Sequence, residues 1–284
     1  MKIPSNKVSD VISFFREELK DIYPKEEIEQ FIFLAFAEYL NFSRTDLITK
    51  ANSTMSESDL LKFNFCVKDL KQQRPIQYIL GSTEFYECKI KVNEHVLIPR
   101  PETEELVEWI EKENNKEQIR ILDIGTGSGC IAIALKNVYL NVEVFALDVS
   151  ERALEVAKKN AELNQLEINF ICADIFKHSS THSFDIIVSN PPYVRVSEKE
   201  KMSKNVLNYE PHLALFVNDD DALKFYKAIA DFALKHLSPK GKLYFEINEA
   251  LGNDVQNLLQ EKGFKNVEVK KDLSKKERMV RGEI

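Results

Sequence analysis

The sequence predicts an α/β fold with a mainly parallel sheet, preceded by a small helical bundle and a short hairpin. From about residue 101 onward, short apolar segments alternate with segments of helical periodicity, which is typical of a parallel sheet covered on both faces. Before residue 74, apolar residues recur at helical spacing. Between them, a segment with proline and glycine carries alternating apolar residues, which indicates short paired strands. We therefore expect a bundle over 1–73, a hairpin linker over 74–100 and a larger domain over 101–284.

The elements follow from these patterns in chain order. The N-terminal helices are expected over 8–19, 28–40 and 58–71, where apolar residues share one helix face. Ser150 is a suitable N-cap for one of the later helices, because its hydroxyl can accept a first-turn N–H. The predicted strands of the large domain are 119–124, 142–147, 169–172, 185–189, 242–247 and 267–271, and its predicted helices are 103–113, 129–137, 150–163, 220–237 and 249–262.

Charge and composition narrow the classes of function. The 284 residues carry a formal net charge of −7, whereas a free-standing binder of bare nucleic acid usually presents a basic face. The balance favours a protein or small-molecule substrate. The four cysteines form no Cys-x-x-Cys and the five histidines show no ligand spacing, so we expect buried core cysteines and no metal.

Nothing in the sequence indicates a membrane or secreted protein. No apolar stretch is long enough to span a bilayer. The first residues, Met1–Ser5, are not followed by the continuous apolar region of a signal peptide. We therefore expect a cytoplasmic protein.

A glycine loop follows the first predicted strand of the large domain. It reads Gly125-Thr126-Gly127-Ser128-Gly129, and a tight turn of this kind leaves backbone open to a ligand. The dinucleotide fingerprint needs a third glycine where Cys130 stands, and no Lys-Ser or Lys-Thr follows as in a P-loop. The pattern resembles motif I of the class I, Rossmann-like methyltransferases, whose loop passes beneath the methionine part of S-adenosylmethionine. A glycine turn without a ligand is the alternative.

Two further strand ends support a nucleoside site. Asp148 ends the next strand, where a carboxylate can accept hydrogen bonds from both ribose hydroxyls. Its alternative role is simply to begin the following helix. By resemblance to the same methyltransferases, Asp174 and Ile175 border the adenine, with Ile175 against its ring.

The tetrapeptide Asn190-Pro191-Pro192-Tyr193 follows the fourth strand of the large domain. Two prolines cannot continue a strand, so the chain leaves the sheet at the edge where ligands of such sheets bind. A planar amide or aniline-like nitrogen is a poor nucleophile, and acceptors that grip both N–H bonds would aim its lone pair. The Asn190 oxygen and the Pro191 carbonyl suit this role, and Tyr193 offers a flat face for stacking.

Two upstream segments suggest the acceptor. They are Arg74-Pro75-Ile76-Gln77-Tyr78-Ile79-Leu80-Gly81 and Val96-Leu97-Ile98-Pro99-Arg100-Pro101-Glu102-Thr103-Glu104. With the helical N-terminus and Tyr209-Glu210-Pro211, they closely resemble the HemK/PrmC family of peptide chain release factor glutamine methyltransferases.

The resemblance implies a seven-stranded sheet and methyl transfer from S-adenosylmethionine to the glutamine amide of the Gly-Gly-Gln motif in class 1 release factors. It maps cofactor binding onto 125–129, Asp148, Ile175 and Asn190, and glutamine binding and catalysis onto Asn190, Pro191, Pro192 and Tyr193. The N-terminal bundle is expected to dock the substrate, with a packing accessory that has no chemistry of its own as the alternative, and a monomer is the simplest assembly. Two departures concern the cofactor: Ile175 where many members carry Trp, and Asn248 where the family often has glycine.

Two other functions stay open on the residues alone. The tetrapeptide also occurs in enzymes that methylate exocyclic amines of DNA or RNA, which would need a basic groove and a flipped base. A non-catalytic sensor of S-adenosylmethionine is the third reading, and the intact Asn190 argues against it.

Overall fold

The computed structural model describes residues 5–114, 119–139 and 141–284. Residues 1–4, where the bundle is expected to begin, lie outside the described residues, as do 115–118 and 140 of the expected larger domain. The described chain divides into two compact units. The first contains the residues up to Gly81 together with Lys204–Tyr209, and the second contains Ser82–Ser203 and Glu210–Ile284.

The helices and strands of the described residues are numbered in chain order. The helices are α1 Val8–Leu19, α2 Lys25–Leu40, α3 Arg44–Thr49, α4 Glu57–Lys71, α5 Ile76–Leu80, α6 Pro101–Glu113, α7 Cys130–Val138, α8 Glu151–Leu163, α9 Lys204–Tyr209, α10 His212–Leu215, α11 Lys224–His236 and α12 Gly252–Glu261. The strands are β1 Ser82–Phe85, β2 Cys88–Lys91, β3 Arg120–Ile124, β4 Glu143–Asp148, β5 Asn169–Cys172, β6 Phe184–Ser189, β7 Val194–Arg195, β8 Phe216–Val217, β9 Leu237–Glu246, β10 Lys265–Lys271 and β11 Glu277–Glu283.

The first unit is a helical bundle around an aromatic core, as the apolar spacing predicted. Phe15, Phe36 and Phe63 are fully buried, and the ring centroids of Phe36 and Phe63 lie 4.4 Å apart. The short helices α3 and α5 were not predicted. Helix α3 is too brief to show periodicity, but it begins at a capping box in which the Ser43 hydroxyl accepts from Asp46 N at 3.2 Å.

The second unit contains a sheet with seven described strands in the order β10-β11-β9-β6-β3-β4-β5. Its central pairs are parallel, and β11 pairs antiparallel with β9 and β10. The predicted α/β class with a mainly parallel sheet is confirmed. Strand β11 escaped prediction because its charged residues, such as Glu277, Arg278 and Arg281, obscure the period of two.

The predicted helices of this unit are all present with shifted ends. The largest shift is at α11, predicted from residue 220, which begins at Lys224 because Asp219–Asp221 forms a 3₁₀ turn. The predicted cap of α8 is confirmed, since Ser150 Oγ accepts from Ala153 N at 3.2 Å.

The predicted hairpin is also present. Strands β1 and β2 pair antiparallel from Ser82 opposite Lys91 to Phe85 opposite Cys88. The two residues at its tip, Tyr86 and Glu87, both have positive φ, as a tight two-residue turn requires. The unit boundary at Ser82 places the hairpin with the large sheet.

One expectation about cysteines is wrong. Cys66, Cys88 and Cys130 are buried, but Cys172, at the end of edge strand β5, is exposed. A strand at the edge of a sheet lacks a neighbour on one side, so its side chains are less completely covered. Within the described residues, no helix has the length and apolar character needed to cross a membrane.

Candidate active site

A cavity of about 270 Å³ opens at the carboxyl ends of β3, β4 and β6 in the second unit. These strands are neighbours in the sheet, so the segments that follow them converge at one edge. The predicted site residues that line the cavity are Gly125, Gly127, Asp148, Ile175, Asn190, Pro191 and Pro192.

The glycine loop forms the floor of this cavity. Its first N–H, that of Gly125, donates to Leu147 O at 2.8 Å, which ties the loop to strand β4. Gly127 has φ +54, and its N–H donates to Asp148 Oδ2 at 2.9 Å. Thr126 and Ser128 are buried, and a Cβ added at Gly129 would lie only 3.0 Å from the Cβ of Ala157. These three loop residues do not line the cavity.

Asp148 links the loop to helix α8. Its Oδ2 accepts from Gly127 N and its Oδ1 accepts from Ser150 N, each at 2.9 Å. Burial raises the pKa of this carboxyl, and the backbone N–H groups of Ser150 and Gly127 oppose that rise. A carboxylate has about four acceptor positions, more than these N–H groups occupy, so it can still receive a ligand hydroxyl.

The turn after β5 supplies another wall. Ala173, Asp174 and Ile175 all line the cavity, and Asp174 Oδ1 accepts from Phe176 N at 3.0 Å. Two residues of α11, Phe225 and Ile229, also line the cavity. Together with Ala173 and Ile175 they give this part of the cavity an apolar lining.

The tetrapeptide 190–193 leaves strand β6 at the cavity. The preceding residue, Ser189, is fully buried and its Oγ donates to Ile124 O at 2.7 Å, which fixes the start of the turn. Asn190 through Pro192 face the cavity, whereas Tyr193 does not line it. The Tyr193 hydroxyl instead donates to Glu246 Oε1 at 3.1 Å, and burial raises the pKa of that hydroxyl.

Thr103 and Glu246 lie behind the tetrapeptide, and sequence reasoning gave neither a role. They are 2% and 1% exposed, and Thr103 Oγ1 donates to Glu246 Oε2 at 2.6 Å. Asn190 Nδ2 in turn donates to Thr103 Oγ1 at 3.4 Å. The available signal was a carboxylate at the end of the apolar strand β9, where a charged residue needs partners.

Asn248, noted in the sequence as a departure, also contacts the tetrapeptide. Its Nδ2 donates to the Tyr193 carbonyl at 3.5 Å, and its Oδ1 accepts from Ala250 N at 3.0 Å. A glycine could make neither contact. The departure therefore adds a contact to the tetrapeptide 190–193.

Two distant segments form the other side of the cavity. Val96 and Leu97 line it together with Pro211, Leu213 and Ala214. Next to them, Arg100 Nη2 donates to Glu210 Oε1 at 2.6 Å, with the Glu210 side chain 1% exposed. The segments around Arg100 and Glu210, 110 residues apart in sequence, are thus joined by a half-buried ion pair.

In the part of the chain that the structure describes, no group of three or more His, Cys, Asp or Glu side chains could hold a metal ion.

Comparison with known proteins covers both units. Residues 101–211 match the family model of the methyltransferase small domain, and residues 10–81 match that of the PrmC N-terminal domain. The release factor glutamine methyltransferase of Flavobacterium psychrophilum is 49% identical over 94% of this chain and 95% of its own length. The protein of the same name from Bacteroides thetaiotaomicron is 42% identical over 95% of this chain and 98% of its own.

Solved structures support the fold. A methyltransferase from Pyrococcus furiosus superposes with a TM-score of 0.52 over 80% of this chain and 98% of its own, at 19% identity. At that identity the likeness concerns the architecture alone.

Proposed function

The chain belongs to the family of release factor glutamine methyltransferases, and we propose that it transfers a methyl group from S-adenosylmethionine to the glutamine side-chain amide in the Gly-Gly-Gln motif of class 1 release factors. The observation that carries this proposal is the meeting of Asn190 and Pro191 with the glycine loop and Asp148 around one cavity. No feature of the described residues favours a DNA or RNA substrate over this one.

The cavity residues fit S-adenosylmethionine. Asp148 offers carboxylate oxygens for the ribose hydroxyls, Ile175 an apolar face for the adenine, and Gly125 and Gly127 a backbone without side chains for the methionine part. When bound, this co-substrate supplies a methyl group on a positively charged sulfur. Thr126, Ser128 and Gly129 would act indirectly, by holding the loop in shape.

The acceptor amide is held by the tetrapeptide. The Asn190 oxygen and the Pro191 carbonyl would accept its two N–H bonds, which leaves the nitrogen lone pair free to face the methyl group. Alignment of the reacting atoms at about 3–3.5 Å supplies much of the rate in such reactions. Carbonyl oxygens beside the nitrogen also stabilise the positive charge that develops there. Pro192 stiffens the turn, and stacking of the half-buried Tyr193 ring on the amide stays a prediction.

The partner and setting are also proposals. The first unit would dock the release factor, and the enzyme would act as a monomer in the cytoplasm without a metal. The match of residues 10–81 to an N-terminal domain model of the same family supports a shared role for that unit.

A labelling assay tests the proposed function. The protein is incubated with methyl-labelled S-adenosylmethionine and offered a release factor, its Gln→Ala variant in the Gly-Gly-Gln motif, DNA or RNA. We expect label on the normal release factor alone. Label on nucleic acid, or equal label on both factors, would refute the proposal, and binding without transfer would support a sensor.

Asn190→Ala tests the acceptor site. We expect loss of methyl transfer with most S-adenosylmethionine binding kept, because the glycine loop and Asp148 are untouched. Calorimetric titration and the labelling assay measure the two properties separately. Undiminished turnover would contradict the role of Asn190.

A further inference from the structure

A buried chain of hydrogen bonds connects strand β9 to the cavity. Glu246, at the end of β9, accepts from the hydroxyls of Thr103 and Tyr193 at 2.6 and 3.1 Å. Thr103 then accepts from the Asn190 amide at 3.4 Å. Glu246 and Thr103 are almost fully buried, so solvent offers little substitute for these partners.

The carboxylate sets the direction of these bonds. Thr103 and Tyr193 each direct their single hydroxyl hydrogen to a separate oxygen of Glu246, which accepts it. The Thr103 oxygen is then an acceptor towards Asn190, and only the NH₂ side of that amide can satisfy it. With Nδ2 turned to Thr103, Oδ1 of Asn190 points away from it. The flipped amide would set two oxygens against each other with no hydrogen between them.

The surroundings of Glu246 keep this arrangement in place. Burial raises the pKa of the Glu246 carboxyl, with a contribution from Glu102, while the hydroxyls of Thr103 and Tyr193 and the Arg278 guanidinium oppose the rise. The backbone oxygen of Glu246 accepts from the buried Tyr226 hydroxyl at 3.3 Å. This bond is made to the backbone alone and takes no part in the contacts of the carboxylate oxygens with Thr103 and Tyr193.

We propose that Glu246, acting through Thr103, is a positioning residue that holds the Asn190 amide oxygen toward the acceptor nitrogen, and that its bond to Tyr193 holds the far end of the tetrapeptide. The inference rests on the proposed function, because an acceptor with N–H bonds is what requires an oxygen at this place. Glu246 itself does not line the cavity, so its effect is on alignment.

Thr103→Val tests the contact that runs from Glu246 through Thr103 to Asn190. Valine keeps the shape of threonine but cannot accept from Asn190 or donate to Glu246. We expect kcat for release factor methylation to fall by about 100-fold, the cost of a small misplacement of reacting groups. The dissociation constant of S-adenosylmethionine should stay at the wild-type value. Thr103→Ser, which restores the hydroxyl, should recover most of the lost kcat.

Tyr226→Phe is the matched control, since it removes another buried hydroxyl bonded to Glu246, but at the backbone. We expect wild-type kcat for it. Glu246→Gln is a second variant in case Thr103→Val does not fold. Its NH₂ group can donate to the Thr103 oxygen and so compete with Asn190, and kcat should again fall with cofactor binding unchanged.

The outcomes separate the two proposals. A wild-type protein that transfers no methyl group to release factor refutes the proposed function. An active wild type with unchanged kcat in folded Thr103→Val or Glu246→Gln overturns the positioning role. Equal losses in Thr103→Val and Thr103→Ser, or in Tyr226→Phe, also overturn it, because they would indicate general packing damage.

Discussion

At the scale of single residues, Asp123 stands out as a charged group with an incomplete set of partners. It lies on β3 just before the glycine loop and is fully buried. Its Oδ2 accepts from Thr126 Oγ1 at 2.6 Å, while Oδ1 has no hydrogen-bond partner among the described residues. Burial raises the pKa of Asp123 to about 7, and the negative Asp148 contributes to the rise.

This raised pKa predicts the pH dependence of stability. In the unfolded chain the carboxyl titrates near pH ~3.9, so between that value and about 7 the native state binds the proton more tightly. The stability that Asp123 contributes is full below pH ~4 and is lost as the pH rises through the folded pKa.

Asp123→Asn should therefore remove the loss of stability that deprotonation of Asp123 causes as the pH rises. The neutral amide keeps an oxygen for Thr126 and carries no buried charge. At pH 8 we expect the variant to unfold at a higher temperature than wild type. Its free energy of unfolding should be larger by an amount on the order of a few kcal/mol. At pH 5 the advantage should shrink or reverse. Calorimetric melting at both pH values measures it, and equal differences at the two would contradict the assignment.

Residue identity alone predicted some of the site and missed the rest, for a physical reason. Asp148, Asn190 and Pro191 follow predicted strands, and strand ends in a parallel sheet meet at one edge. Thr103 and Glu246 are 143 positions apart, and only the folded packing of α6 against β9 brings their oxygens together. Sequence spacing carries no information on such a contact.

At the scale of elements, a buried asparagine fastens the hairpin to the glycine loop. Asn160, on α8, exchanges bonds with both backbone groups of Lys91 on β2, at 2.7 and 2.9 Å. Its Nδ2 also donates to Ser128 O at 2.9 Å. One side chain thereby couples the hairpin, helix α8 and the loop that would carry the cofactor.

Asn160→Ala should loosen this junction. The substitution leaves the buried Ser128 carbonyl without its partner, which costs about 1–3 kcal/mol. It also removes both bonds to the Lys91 backbone. We expect a lower melting temperature and a weaker affinity for S-adenosylmethionine. Titration calorimetry and hydrogen exchange at Lys91 measure the two effects.

Asn164→Ala is the matched control at the C-terminal end of the same helix. Asn164 also reaches the hairpin, through Nδ2 to Lys89 O at 2.9 Å, but this bond is exposed and does not involve the glycine loop. Its loss should change cofactor affinity little. Equal effects of the two substitutions would show that the junction at Ser128 has no special role.

Sequence reasoning recovered the helices that are long enough to repeat their period, and the strands that have an apolar run or a clear alternation. The apolar strands β3 and β6 are buried along almost their whole length. The amphipathic helix α8 buries the residues that recur on one of its faces. Helices α9 and α10, which were not predicted, have six and four residues, too few for a period of 3.6 to repeat. Their place between Lys204 and Leu215 depends on tertiary partners.

At the scale of the whole molecule, the segment after the tetrapeptide joins the two units. Residues 194–203 and 210–217 belong to the second unit, while Lys204–Tyr209 between them belongs to the first. Within the first unit, the Tyr209 hydroxyl donates to Gln72 O at 2.9 Å. After the tetrapeptide 190–193, the chain therefore enters the proposed docking unit at Lys204 and returns to the second unit at Glu210.

Removing the first unit should separate cofactor binding from substrate use. A chain of residues 82–284 keeps the seven described strands of the sheet, the cavity and the Glu246 contacts, which all lie in the second unit. We expect it to bind S-adenosylmethionine within about tenfold of the full chain, a change of ~1.4 kcal/mol. Its kcat/KM for a whole release factor should fall towards that for a short peptide containing Gly-Gly-Gln, because the proposed docking surface is gone.

Tyr209→Phe in the full chain controls for the lost contact of Lys204–Tyr209, since it removes only the bond to Gln72. It should keep the preference for the whole factor over the peptide. If residues 82–284 also keep that preference, the first unit does not dock the substrate, and recognition resides in the sheet domain. Tyr209→Phe leaves the first unit in place. If this variant loses the preference for the whole factor as completely as the truncation does, the effect comes from the segment Lys204–Tyr209 and not from loss of the docking unit.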